Sequence, residues 1–175
     1  PTGGLAKTER AFVWGNRLDE LLAYHKLTPS TGQVTNTYYA TQGKHDNVVV
    51  LHTLSAGQPQ LVEKVEYDPY GKASVFVGSS TTPQALSSVG NPWLYAGRRL
   101  DDETGYLYFR NRYLHTGWGR FLTNDPIGSW GDGANLGNGL AYVGNSPAVR
   151  MDPSGLCSYP FDVGGGSGPT VCSSA

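Results

Sequence analysis

The chain has 175 residues, with 13 Lys and Arg against 14 Asp and Glu, for a formal charge of −1. That length supplies one ordinary domain, and a near-neutral chain without a basic run gives no electrostatic footing for nucleic acid or anionic lipid. No apolar run approaches the roughly 18 residues that a membrane-spanning helix needs. With 24 Gly, 11 Pro and 11 Tyr but one Met, helix breakers recur every few residues and strand formers dominate between them. The expectation is an all-β fold of short strands and turns. The chain opens on Pro1 with no methionine or secretory leader ahead of it, so a longer parent chain is expected.

Residues 1–9 (PTGGLAKTE) read as a polar linker or a truncated strand. RAFVWGNRLDELLAYHKL then alternates so that Phe12, Trp14, Leu22 and Tyr24 share one face, with Gly15-Asn16 as a turn signal. LDELLAYHKL also reads as a short helix, but its breaker-rich flanks favour a strand. Residues 28–33 are a loop, VTNTYYATQG and NVVVLHTL are strands, and SAGQPQ is the loop between hairpin partners. LVEKVEYDPYGK sets Val62, Val65 and Tyr67 between charges, then breaks at Asp68-Pro69-Tyr70-Gly71. Residues 10–71 are thus a run of related hairpins, each marginal alone and stable only as part of one curved sheet. Residues 72–92 hold one short strand and a Ser/Thr-rich loop expected to be variable. The densest part, 93–156, follows, and 157–175 is a short Gly/Ser-rich tail carrying both cysteines, Cys157 and Cys172.

VEYDPYGK, NPWLYAGRRLDDETGYLYFRNRYLHTGWGRFLTNDPIG and GNGLAYVGNSPAVRMDPSGL stand in that order. Together they resemble the Rhs repeat-associated core domain of YD-repeat proteins, a group that includes the Tc-toxin C subunits. The resemblance covers about residues 63–156, and residues 10–62 look like diverged YD repeats. Two places depart from the pattern. Arg112-Tyr113-Leu114-His115-Thr116 lacks the Asp-Pro turn, and the interval from Asp125 to Asp152 is lengthened in GSWGDGANLGNG, a loop that absorbs insertions cheaply.

The resemblance implies a β-sheet wound into a hollow shell and a core, residues 93–156, that spirals inward to plug it. It implies a secreted or cell-surface bacterial protein of the polymorphic-toxin type whose partners are its own upstream shell and its C-terminal segment. It also implies an aspartyl autoprotease that cuts once, after Leu156, using Asp125 of NDPIG and Asp152 of MDPSGL, with no cofactor. Two carboxylates close enough to share a proton cannot both ionise, so one activates water while the other polarises the scissile carbonyl. The bland alternative is that Asp-Pro-x-Gly is simply a good turn.

Other residues carry open alternatives. Arg120 either orients Asp125 or is a solvated strand residue. Cys157, first after the cut, could attack the Leu156 carbonyl through its thiol, or pair with Cys172 as a disulfide in an oxidising compartment. His115 reads as a turn residue. His25, His45 and His52 are too dispersed for a metal site. Tyr106, Tyr108, Phe109 and Tyr113 read as packed cross-strand pairs rather than a stacking platform. The contrasting function is an extracellular structural or adhesive protein, or a filament subunit, whose hairpin edges self-associate without catalysis.

Overall fold

The computed structural model describes residues 9–160. Strands β1 (Arg10–Trp14), β2 (Leu21–Leu27), β3 (Val34–Gln42), β4 (Val48–Ser55), β5 (Gln58–Tyr67) and β6 (Ala73–Val77) form an antiparallel meander in sequence order. Strands β7 (Arg99–Leu100), β8 (Leu107–Tyr108), β9 (Tyr113–His115) and β10 (Arg120–Phe121) form a second sheet, and β11 (Arg150–Met151) pairs with β12 (Tyr159–Pro160). The described residues contain no α-helix, only four short 3-10 turns. The fold is all-β, and LDELLAYHKL is a strand.

Bulges decide which side chains face inward. Val13 opposes Ala23 and Trp14 opposes Leu21, so Leu22 is an extra residue in β2. It turns outward to 45% exposure while Leu21 takes the core position at 1%. The expected face of Phe12, Trp14, Leu22 and Tyr24 therefore loses Leu22, because a one-residue slip reverses a strand's faces. A second bulge, where Leu51 opposes Glu63 and His52 opposes Leu61, brings Glu63 inside, fully buried. The β4–β5 connection is tighter than SAGQPQ suggested. Ala56 and Gly57 alone turn the chain, with φ of 50° and 77°, the left-handed pair that matches hairpin twist. Pro59 already lies in β5, opposite Leu54.

The Ser/Thr-rich loop is pinned rather than loose. The Glu63 carboxylate accepts from Ser87 Oγ at 2.8 Å, from Ser88 Oγ at 2.7 Å and from the Ser88 amide. Below it, Leu107, Phe109, Leu114, Phe121, Tyr142 and Val143 form the core of the second sheet, with Phe109, Phe121 and Tyr142 in edge-to-face contact. Tyr67 and Tyr95 join the two sheets, their rings 5.8 Å apart. Outside, Tyr108 and Tyr113 face each other across strands at 5.1 Å.

The turn that lost its Asp-Pro pair still forms. His115 Nδ1 accepts from the Trp118 amide at 3.2 Å, as a carboxylate would, and the two rings stack at 4.0 Å. Separately, Arg110, Asn111 and Arg112 donate to the Pro153, Ser154 and Gly155 carbonyls and hold the 109–112 and 152–158 segments together.

Candidate functional site

Residues 109–112 make a tight turn between β8 and β9, closed by the Phe109 amide donating to the Arg112 carbonyl at 2.8 Å. The turn points Arg112 into the interior, where its guanidinium lies 3.7 Å over the Phe121 ring. Its Nε donates to the Gly155 carbonyl and its Nη1 to the Gly139 carbonyl at 3.0 Å. Its Nη2 faces two carboxylates, Asp125 Oδ2 at 2.9 Å and Asp152 Oδ2 at 3.6 Å. All three side chains are sealed from solvent, at 0%, 2% and 1% exposure respectively. So deep a charge cluster is retained only where the opposing charges meet.

The two acids differ. Asp152 Oδ1 accepts from the amides of Ser154 at 3.2 Å, Gly155 at 2.8 Å and Leu156 at 3.1 Å, and from Ser154 Oγ at 3.2 Å. Burial nevertheless outweighs these bonds and Arg112, and its pKa is pushed up to about 6. Asp125 Oδ1 accepts from the Ile127 amide at 3.1 Å. Its Oδ2 contacts Arg112 as an ion pair without an aligned hydrogen bond. Burial raises the Asp125 pKa too, against Arg112 and the Ile127 amide.

The 152–158 segment is a loop closed by the β11–β12 pair. Asn111 Nδ2 donates to the Ser154 carbonyl at 3.0 Å, and Arg110 donates to the Pro153 carbonyl. Gly155 has φ of 73°, and a Cβ there would meet the Phe109 carbonyl oxygen, so the Gly of Asp-Pro-x-Gly is required by both conformation and space.

The chain is 33% identical over 120 residues to the tRNA nuclease WapA of Bacillus subtilis and 35% identical over 119 residues to the toxin subunit YenC1 of Yersinia entomophaga, each match covering 67% of this chain. A third relative is the probable deoxyribonuclease RhsA of Dickeya dadantii, 36% identical over 81 residues, covering 46% of this chain. The chain is related to the Rhs and Tc-toxin shell proteins. It spans only 5% of WapA, 11% of YenC1 and 5% of RhsA. The crystal structure of TcdB2-TccC3 shares its fold, with a TM-score of 0.61 at 20% identity over 83% of this chain and 7% of that one. No protein-family profile matches the chain.

In this Rhs-related chain, Asp125 and Asp152 converge on one guanidinium, and Asp152 touches the amide of Leu156. Arg120 is not part of that cluster. It is exposed, with its guanidinium 5.5 Å from the Trp118 ring centroid, and the cation beside Asp125 is Arg112. Asp132, which sequence reading left in an insertion loop, reaches Ser158 just beyond the predicted cut. Among the described residues no group of three or more His, Cys, Asp or Glu side chains could hold a metal ion. Among the described residues no helix is long and apolar enough to cross a membrane. Cys172, and with it the Cys157–Cys172 pairing, lies outside the described residues, as do residues 1–8 and the tail from 161 onward.

Proposed function

We propose that this stretch closes an Rhs-type shell and cuts its own chain once, between Leu156 and Cys157, freeing the C-terminal segment. The observation that carries the proposal is the meeting of Asp125 and Asp152 at Arg112, with Asp152 hydrogen-bonded to the Leu156 amide. Asp125, paired with Arg112, acts as the base and takes a proton from water. Asp152, whose proton is retained to about pH 6, polarises the Leu156 carbonyl. The water oxygen bonds to the Leu156 carbonyl carbon, and the bond to the Cys157 nitrogen breaks. The proton passes to that nitrogen, leaving a Leu156 carboxylate and a Cys157 amine. Tethering of the bond beside its acids supplies the proximity. The partners in this reading are the upstream shell and the segment after Leu156, in a secreted or cell-surface protein.

Intact-mass measurement of the full-length parent chain tests the proposal. A break at Leu156 that disappears in Asp125→Asn and in Asp152→Asn, and persists in Cys157→Ala, is expected. Loss of the break in Cys157→Ala alone would assign it to the thiol, and one unbroken mass would refute self-cleavage.

A further inference from the structure

Asp132 sits in the loop between Asp125 and Asp152, itself buried. Its Oδ1 accepts from the Ala134 amide at 3.0 Å, capping the 3-10 turn Gly133–Asn135. Its Oδ2 accepts from Asn135 Nδ2 at 3.2 Å, from the Ser158 amide at 2.9 Å and from Ser158 Oγ at 2.8 Å. Arg150 holds the same residue from the other side, through the Ser158 carbonyl at 2.8 Å and Ser158 Oγ at 3.2 Å. Upstream of the bond, Asp152 grips the Gly155 and Leu156 amides, and Arg112 the Gly155 carbonyl.

The chain is therefore anchored by one buried carboxylate at Leu156 and by another at Ser158. We propose that Asp132 is a positioning residue for the cut, holding the departing side of the Leu156–Cys157 bond still while Asp152 holds the other. This rests on the self-cleavage reading above. A bond whose two flanks are fixed reaches its reactive geometry without the entropy loss that a free loop would suffer. A turn cap needs only Oδ1. The two bonds from Oδ2 to Ser158 are the part that turn capping leaves unexplained.

The test follows cleavage of the full-length parent chain by pulse-chase in cell-free translation. Asp132→Ala slows the break at Leu156 tenfold or more, and Ser158→Ala, which removes only the hydroxyl, slows it two- to fivefold. The double variant is no slower than Asp132→Ala, because residues that act through each other are not additive. Asp132→Asn, which keeps an acceptor toward Ser158, restores most of the rate. Additive slowing, or an undiminished rate in folded Asp132→Ala, overturns the assignment. If Asp132→Ala fails to fold, Ser158→Ala decides it, with an unchanged rate counting against. An unaltered chain that never breaks removes the self-cleavage reading itself, whereas a break indifferent to both residues removes only this proposal.

Discussion

Asp19, in the turn of the first hairpin, accepts a 2.7 Å hydrogen bond from Arg110, which in turn donates to the Pro153 carbonyl. Asp19 also pairs with Arg98, whose side chain is 4% exposed. One carboxylate thus ties the first hairpin to the loop that carries Asp152. Removing it strands the Arg98 charge in the interior. Breaking one side of a buried pair costs about 3 kcal/mol or more. Asp19→Ala is expected to lose that much in urea denaturation and to lower Tm by roughly 10 °C for a chain of this size. An unchanged transition would mean that Arg98 finds water instead.

Glu63 makes a second test of the fold. Its carboxylate is fully buried and serves two hydroxyls and one amide of the 87–88 segment. Glu63→Ala leaves the Ser88 amide without its acceptor, a loss of about 1–3 kcal/mol. Limited proteolysis should then cut faster within residues 78–92, while the 99–121 sheet keeps its protection. Equal cleavage of both variants would show that the loop is held by its other contacts.

The hairpin run was legible because alternation and turn residues are local signals, whereas the two acids were singled out by the resemblance to the Rhs core, since Asp-Pro-x-Gly by itself also reads as a turn. Three features were not legible, each for a physical reason. Leu22 and Glu63 changed faces at bulges, which insert one residue and leave no mark in a period-2 pattern. Arg112 carries no mark of its buried place in the sequence. Arg110 takes a φ of 65° in the turn between Tyr108 and Tyr113, so alternation does not carry across it and Arg112 turns inward. Asp132 finds its partner 26 positions away, a pairing set by tertiary packing alone.

Gly155 offers a direct test of loop geometry. Its left-handed φ of 73° and its closeness to the Phe109 carbonyl leave no room for a side chain. Backbone strain of about 1–2 kcal/mol adds to the displacement that the collision forces. Gly155→Ala should therefore shift residues 154–156 off Asp152 and Arg112, destabilise the chain in thermal melts and stop the break at Leu156 by mass. A Gly155→Ala protein that melts and breaks like the parent would show that the loop tolerates a different path.

The sharpest pH signature belongs to Asp152. Its pKa is about 6 when folded, against an ordinary value of 3.8. Between those values the folded state binds the proton and the unfolded state does not, so this group's stabilising contribution is complete at low pH and is lost as pH rises through about 6. The difference is worth on the order of 3 kcal/mol for so fully buried an acid. In Asp152→Asn, whose amide cannot ionise, the fall in stability from pH 4.5 to pH 7 should be smaller than in the parent by about 2 kcal/mol, the part of that difference lying above pH 4.5, measured by urea denaturation on uncleaved protein. The cleavage rate of the parent should fall over the same interval, because the acid that polarises the carbonyl loses its proton. Arg112 faces this carboxylate as well as that of Asp125, so Arg112→Met should move the rate profile to higher pH by removing a cation that favours ionised Asp152. A profile that stays in place in Arg112→Met would mean that the proton controlling cleavage resides elsewhere.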